Sequence, residues 1–278
     1  MAGPSTALAG RLAASGVLLA MVLSSVAPAH AQANTDTDTD TDTGSRAPAP
    51  WRFQLTPYVW MSGLEGRVRP FARAPLVHVD KSFSQVLESL DAAAFLTGTA
   101  RHGRFVLQAD VTQARSSDSA ALPIGVDARV RLRQRSASLT AGYAWVADEH
   151  TTLDLMAGLR QWDIHAAVAV PGLLAAGSDT AFVDPIVALR WHQQLSPRWS
   201  SVAYVDAGGL GVGSDSTWQL LALANYHASG QLYVSAGYRH QYVDYRNAGK
   251  RLDVALSGPM LGLTWRWGGA PVVATASR

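Results

Sequence analysis

Charged and amide side chains recur at alternate positions inside segments that are otherwise apolar. Asp154 and Arg160 share the parity of one such segment, and Asp184 and Arg190 share that of another. Alternate residues of a β-strand point to the same side, so these groups are predicted to face one enclosed space. A buried charge needs a partner, which predicts a network of Asp–Arg pairs that fills and rigidifies this space. The alternative is a constriction that selects polar solutes. The predicted network comprises Asp110, Asp154, Arg160, Asp184, Arg190, Asp206 and Arg239, with Gln108, Gln219 and Gln241 beside them.

Catalytic and metal-binding patterns are much weaker. The histidines do not converge: His78, His102, His150, His165, His192, His227 and His240 are scattered over predicted turns, loops and strands. Acid–base or nucleophilic catalysis needs a base held next to the nucleophile, and no segment carries a nucleophile-flanking motif. We therefore predict no catalytic, cofactor-binding or metal-binding residues. A hydrolase or acyltransferase whose Ser, His and Asp come from different strands is the enzymatic alternative.

The segment 252–267 shows most clearly the kind of strand that must position the charged and amide groups. From Pro259 onward, odd positions carry Pro, Leu, Leu, Trp and Trp, whereas even positions carry Met, Gly, Thr and Arg. This alternation predicts a strand with one apolar face. The apolar face ends in Trp265 and Trp267, and tryptophan favours a membrane–water interface. The pattern indicates a lipid-facing strand.

Comparable alternation recurs along most of the chain. Predicted strands cover residues 51–61, 63–71, 76–82, 92–100, 105–113, 137–145, 153–159, 181–191, 202–208, 218–226, 232–238 and 252–267. The segment 51–61 matches the ~9–11 residues that a tilted strand needs to cross a bilayer. Aromatic residues at strand ends, and the lack of mid-strand charges on the apolar face, argue against a soluble β-sandwich.

Connections of two kinds alternate between these strands. Short turns are predicted at residues 101–104, 147–150, 196–198 and 228–230, and mostly longer loops at 116–126, 165–180, 211–216 and 245–250. Short turns on one side and longer loops on the other are typical of an outer-membrane barrel. The predicted fold class is therefore all-β, an antiparallel transmembrane β-barrel of twelve strands. The alternative is ten strands, if the hairpin between residues 63 and 82 is only a loop.

Four arginines precede the apolar segment 137–145 on its lipid-facing parity. They are Arg129, Arg131, Arg133 and Arg135. An arginine at the bilayer midplane costs ~2–4 kcal/mol, so this arginine ladder is predicted to stand above the outer leaflet and to contact lipopolysaccharide phosphates. Asp163 on the next strand is the predicted partner of Arg133 or Arg135. A β-bulge near residues 134–136 would instead turn the arginines into the lumen.

One short amphipathic helix is predicted near residues 84–91. It begins at Ser84 as a capping residue and places Val86, Leu87 and Leu90 on one side. We expect it to pack on or in the barrel mouth.

The remaining segments define the domain organisation. Residues 1–31 form a predicted signal peptide, because an apolar run follows Arg11 and Ala29-His30-Ala31 is typical of a cleavage site. Residues 32–50, rich in Thr, Asp and Pro, are predicted to be a disordered tether. The barrel is assigned to 51–267 and a C-terminal extension to 268–278. The sequence contains no cysteine, which is compatible with the periplasm and excludes a lipid-modified N-terminal cysteine.

Several motifs, taken in order, carry a family resemblance. They are LTPYVWMSGLEGRV, VDKSFSQVLESLD, VDPIVALRWHQQLSPRWS, GGLGVGSDSTWQ, GYRHQYVDY and SGPMLGLTWRW. Together they resemble the uncharacterised outer-membrane β-barrel proteins of Gram-negative bacteria. The resemblance covers residues 51–267 and implies a fold and a location in the cell outer membrane. It implies no biochemical activity.

The predicted function is an integral outer-membrane barrel with a structural or envelope role and at most a narrow passive pore for small ions or solutes. The alternatives are a porin-like solute channel, an enzyme acting on outer-membrane lipid or peptide, and a protein that binds ligands through its surface loops. Outer-membrane lipid and lipopolysaccharide are the expected partners, together with the barrel-assembly machinery during insertion. Nucleic acid is not an expected partner, and nothing in the sequence specifies an oligomeric state.

Overall fold

The structure, a computed structural model, describes residues 49–72, 74–121, 127–170, 172 and 174–269. The signal peptide, nearly all of the tether and the extension after Gly269 lie outside the described residues. No helix in the described part of the chain is long and apolar enough to cross a membrane.

Twelve strands and one helix make up the described chain. In order they are β1 (Trp51–Trp60), β2 (Gly63–Arg69), β3 (Val77–Lys81), α1 (Phe83–Glu88), β4 (Leu90–His102), β5 (Phe105–Ala121), β6 (Asp127–Ala147), β7 (Thr151–Val170), β8 (Leu174–Gln194), β9 (Trp199–Gly209), β10 (Ser216–Ser229), β11 (Leu232–Asn247) and β12 (Lys250–Gly268). Alternating inward and outward side chains explain why these segments form strands with two different faces.

Ten of the strands close into an antiparallel barrel. β1 pairs with β4, each strand from β4 to β12 pairs with the next, and β12 returns to β1. The closing pair runs from Arg52 opposite Gly268 to Trp60 opposite Met260. Every strand of the ring thus has a partner on both sides, as a barrel in lipid requires.

The β2–β3 hairpin extends the wall without widening the ring. β12 pairs with β1 through residues 260–268 and with β2 through residues 251–257, so β1 and β2 follow one edge of β12 in succession. The break falls at Met61 and Ser62, beside Pro259, whose carbonyl accepts from the Met61 N–H at 2.9 Å. Because proline has no N–H, Pro259 cannot donate to the strand ladder at this point. The prediction of a twelve-stranded barrel is therefore wrong for the ring, and the ten-strand alternative describes it.

Three of the four predicted long loops are mostly strand. β5 continues to Ala121, β7 to Val170 and β11 to Asn247, and each returns within a few residues as the next strand. Only the connection between β9 and β10, residues 210–215, keeps its predicted length. The Gly, Ser and Ala content of these segments suggested loops, but cross-strand pairing outweighs such weak local preferences.

The helix is shorter than predicted and begins earlier. It spans Phe83–Glu88, and Ser82 rather than Ser84 is the N-cap, in a capping box with Gln85. It ends before residue 91 because Leu90 already pairs with Ser116 of β5. The helix contacts β2 and β3 and buries no residue, so it lies on the wall extension.

The two ends of the barrel differ. The ring termini and the short connections 103–104, 148–150, 195–198 and 230–231 share one end, which we call the turn end. There, the backbone N–H groups of His150 and Thr151 donate to Asp148, and these bonds lower the pKa of the Asp148 carboxyl. The opposite end, the loop end, carries β2, β3 and α1.

Glycines allow close backbone approach within the wall. A Cβ at Gly158 would lie 1.9 Å from the Leu139 carbonyl oxygen, whereas one at Gly98 would meet nothing closer than 3.6 Å. Gly158→Ala is therefore expected to lower the stability of the folded barrel by about 1–3 kcal/mol, and Gly98→Ala to leave it nearly unchanged. Heat-dependent loss of the compact species on gel electrophoresis measures both. Equal melting of the two variants would contradict the close approach.

Candidate functional site

The outer face of the ring is an apolar belt bordered by tryptophans. Exposed aliphatic side chains on this face include Leu55, Val59, Leu139, Leu155, Leu159, Val187, Leu220, Leu261 and Leu263. Six of the seven exposed tryptophans among the described residues lie toward the turn end, whereas Trp218 lies near the loop-end start of β10; the six are Trp51, Trp145, Trp191, Trp199, Trp265 and Trp267. The Trp265 indole donates to Gln231 at 2.8 Å. An apolar belt with an aromatic border is the surface that a barrel presents to a bilayer.

The inner face holds every residue of the predicted network. Asp154, Asp184 and Asp206 are at most 1% exposed, and Arg160 and Arg239 at most 2%. Arg190 is also buried, and Asp110 is partly buried. These side chains do not form one continuous network. They form separate clusters, and each cluster includes at least one contact between strands that are not adjacent in the wall.

The first cluster joins β7 to β9. Arg160 makes a bidentate contact with Asp206, with Nη1 donating to Oδ1 at 2.9 Å and Nη2 donating to Oδ2. Nη1 also contacts the hydroxyl of Thr217 at 3.3 Å. A paired guanidinium and carboxylate satisfy most of each other's hydrogen-bonding capacity, which offsets the cost of burial.

The second cluster crosses the lumen from β11 to β5. Arg239 donates through Nη2 to Asp110 at 2.9 Å and through Nε to Gln219 at 3.1 Å. The hydroxyl of Tyr58 accepts from Arg239 and donates to Asp110 at 3.0 Å. The guanidinium also lies 4.8 Å from the centre of the Trp60 ring. Side chains from four regions of the wall thus meet at one cation.

The third cluster contains a cation that sequence analysis missed. Asp154 accepts from Arg190 at 3.2 Å and from Arg101 on β4. We assigned Arg101 to a turn, but β4 continues to His102. The sequence did contain a signal for an inward-facing Arg101, because this residue shares its parity with the polar residues Thr97 and Thr99. Two arginines therefore share one carboxylate near the turn end.

Asp184 departs from the predicted Asp–Arg pattern. It stands opposite Arg160 in the β7–β8 register, but its carboxylate accepts from the backbone N–H of Ser214 at 2.6 Å and from the Ser214 hydroxyl at 2.9 Å. Ser214 belongs to the β9–β10 connection, whose turn uses positive φ at Gly209, Leu210 and Gly211. Asp184 therefore anchors a loop to the wall.

The clusters divide the lumen into unequal spaces. A cavity of about 740 Å³ opens at the turn end, lined by Arg52, Arg101, Arg190 and Arg266 among others. The middle of the lumen, between Asp110, Tyr204 and Arg239, retains a cavity of only about 50 Å³. Ten strands leave little room beyond their own side chains, and long charged groups occupy it.

The arginine ladder lies on the outer face. Arg129, Arg131, Arg133 and Arg135 are all exposed. The β6 register with both neighbours runs without a shift through residues 129–144, so no bulge turns the ladder inward.

Among the side chains that the structure describes, no carboxylate contacts the ladder arginines. Asp163 stands opposite Arg135 in the register, yet Arg135 donates to Gln113 at 3.1 Å. Arg133 stands opposite Arg115. Among the described residues, none of the four ladder arginines forms an ion pair. The ladder is a surface of positive charge with Asp163 opposite one end of it.

One His–Ser contact has the geometry of part of a catalytic triad, but the triad is incomplete among the described residues. His240 Nδ1 lies 2.6 Å from the Ser257 hydroxyl, and the His240 ring stacks on Trp218. In the described part of the chain, no carboxylate contacts the other nitrogen of His240, as a triad would require. The described residues also contain no group of three or more His, Asp or Glu placed to hold a metal ion.

Comparisons with known proteins place the fold. No known protein family and no curated protein sequence matches the chain. The outer membrane protease OmpT from Escherichia coli is similar in structure, with a TM-score of 0.50 and 12% identity over 82% of this chain and 100% of that one. The Ail protein of Yersinia pestis matches over 79% of this chain and 99% of its own, with 12% identity and a TM-score of 0.35. At such identity, the likeness to OmpT is one of fold.

The apolar belt, the closed ring and this fold define the class of the protein. It is an integral β-barrel of the Gram-negative outer-membrane type. The family resemblance noted in the sequence is thus confirmed at the level of fold and location, without an activity attached.

The Arg160–Asp206 pair allows a direct test of charge compensation. Arg160→Met alone leaves a buried carboxylate without its partner and is expected to destabilise the barrel by about 3–5 kcal/mol if the site is dry. Adding Asp206→Leu removes the stranded charge and should restore most of that loss. Denaturant unfolding of both variants in lipid vesicles is the measurement. A double variant less stable than the single one would show that the pair is not compensating charge.

Proposed function

We propose that this protein is a structural barrel of the outer membrane whose lumen is closed to all but small ions. The observation that carries the proposal is the Arg239 cluster, which joins β11 to β5 across a mid-lumen space of about 50 Å³. A solute would have to break several charge-assisted hydrogen bonds to pass. Such bonds are the strong ones when they are desolvated.

The mixture of charges supports a plug more than a selectivity filter. In the clusters of the middle lumen, each arginine has a carboxylate within hydrogen-bond distance, as Arg160 has Asp206 and Arg239 has Asp110. A filter that selects ions needs a ring of one sign left unpaired. The excess of cations lies in the wide cavity at the turn end, where the width of the lumen does not limit the passage of a solute.

The proposed orientation places the turn end in the periplasm. Short turns and both ends of the ring lie there, as in barrels whose longer extensions face outward. We propose that β12, with Trp265 and Trp267 at its end, is the strand that the barrel-assembly machinery recognises. The β2–β3 hairpin and α1 then extend from the outer surface.

Ion conductance tests the closed lumen. Wild-type protein in planar bilayers is expected to show no large, steady openings. Arg239→Ala removes the cation at the centre of the cluster, so it should raise single-channel conductance and lower the melting temperature. Arg198→Ala, an exposed arginine in the β8–β9 turn, is the matched control and should change neither. Large, stable channel openings of the wild type would contradict this proposal and favour the alternative function of a solute channel.

The arginine ladder supports a second part of the proposal, which is contact with lipopolysaccharide. Arg135 precedes Trp145 by ten residues on β6. At ~3.3 Å per residue and a tilt of ~40°, Arg135 stands ~25 Å above Trp145, which is the height of the apolar band of such barrels. Arg133, Arg131 and Arg129 lie further out. Exposed guanidinium groups without carboxylate partners at this height suit lipid phosphates.

Replacing the four ladder arginines by Gln tests this contact. The variant is expected to co-purify with less lipopolysaccharide and to melt at a lower temperature in lipopolysaccharide-containing vesicles than the wild type. Each lost guanidinium–phosphate pair at an exposed site is worth up to about 1 kcal/mol. Arg104→Gln with Arg198→Gln, at the opposite rim, is the control. An unchanged lipid content in the ladder variant would reject the contact.

A further inference from the structure

A small apolar cavity lies in the lumen near the loop end. Its volume is about 100 Å³. Inward-facing aliphatic side chains from β2, β6, β7, β11 and β12 line it, including Leu64, Leu132, Ile164, Val243, Leu252 and Val254. A closed cavity of ~150 Å³ lined by such residues accepts benzene. The smaller space here therefore takes no more than one ring, whose substituent must reach the rim.

Two members of an aromatic stack, Trp162 and Tyr245, line the cavity. The Phe182 ring lies 4.4 Å from Tyr245 and 6.2 Å from Trp162, and all three are buried with Val243 and Val254. Arg160 and its polar cluster lie one inward position further down β7. None of the described residues that line the cavity belongs to the charge clusters, so the cavity is a pocket separate from the paired charges.

Unsatisfied donors are concentrated around this pocket. Eight buried side-chain polar atoms among the described residues lack a hydrogen-bond partner, and four of them belong to residues that line it. They are Trp162 Nε1, Ser178 Oγ, Arg69 Nε and Arg251 Nε. Three of the four can only donate. Trp162 is 1% exposed, so its N–H has lost contact with solvent. A buried unpaired donor costs free energy that an acceptor on a ligand would recover.

The described residues that line the pocket include three cations, Arg69, Lys250 and Arg251, and no Asp or Glu. Arg251 also donates through Nη2 to Asp253, which is not among the lining residues, at 2.9 Å. Lys250 is held in place by the Asp179 carbonyl at 2.6 Å and the Thr180 hydroxyl at 3.4 Å. An anionic acceptor would therefore meet donors and cations together.

We propose that this pocket binds a small aromatic carboxylate, with the ring against the aliphatic wall and the carboxylate oxygens toward the Trp162 and Ser178 donors and the cations. The site goes beyond a structural role, because it would hold a ligand in a space separate from the charge clusters that close the lumen. A binding assay measures occupancy of the pocket, whereas conductance measures closure of the lumen. A negative result for one proposal therefore leaves the other unaffected.

Fluorine NMR titration of the full-length protein, extracted in detergent, tests the site with 4-fluorobenzoate as the probe. Wild-type protein is expected to bind 4-fluorobenzoate more tightly than fluorobenzene, which has the ring but no carboxylate. Trp162→Phe keeps a ring and removes the N–H, and should weaken binding about tenfold or more. Trp218→Phe, the same change on the outer face, is the matched control and should have no effect.

Two further variants keep the test decisive if Trp162→Phe does not fold. Ser178→Ala removes the second donor and should also weaken binding, whereas Ala166→Leu fills the pocket and should abolish it. Absence of 4-fluorobenzoate binding to the wild type would overturn the proposal. Equal affinity for fluorobenzene would show that the carboxylate gains nothing from the donors and would also overturn the proposal. Binding that persists in Ala166→Leu would place the probe elsewhere, in the detergent or on the outer face, and would also overturn it.

Discussion

The pairing of the first strand with the last is the constraint on which the rest of this structure depends. Hydrocarbon offers no partner to a backbone N–H or carbonyl, so a sheet in a bilayer must have no open edge there. β1 and β12 meet this requirement from Arg52 to Trp60. Closure with ten strands then sets the bore, and the bore decides that facing side chains must touch. The paired charges of the lumen follow from the size of the ring.

A narrow ring also explains why the lumen is layered. Long cationic side chains line the wide turn end, paired charges fill the middle, and an aromatic stack with an apolar pocket occupies the loop end. Each layer uses the same inward parity, so β7 presents Asp154, Arg160 and Trp162 in succession. A polar layer needs partners within reach across the axis, whereas an apolar layer needs only matching shape. The two kinds of layer can therefore alternate along one strand.

Much of the wall could be predicted from the sequence, because a period of two assigns each side chain to a face. The inward position of Arg160 and the outward position of Arg135 follow from that alone. Partner choice does not follow, since it depends on which strands face each other. Asp184 thus contacts Ser214 where an arginine was expected. The break after β1 falls where the sequence predicts it, between residues 61 and 63, but the pairing of β2 with the same edge of β12 did not follow, because alternation assigns faces and not partners.

The wall extension leaves β3 as the terminal strand of the sheet. An exposed strand edge is a template on which another molecule can add a strand, and it invites aggregation. β3 has only five residues, and His78, Asp80 and Lys81 are among them. Lys81 also bonds to Asp118 of β5 at 2.6 Å, which ties the strand back to the ring. The short, charged β3 therefore disfavours the addition of a strand from a neighbouring copy at this edge of the sheet.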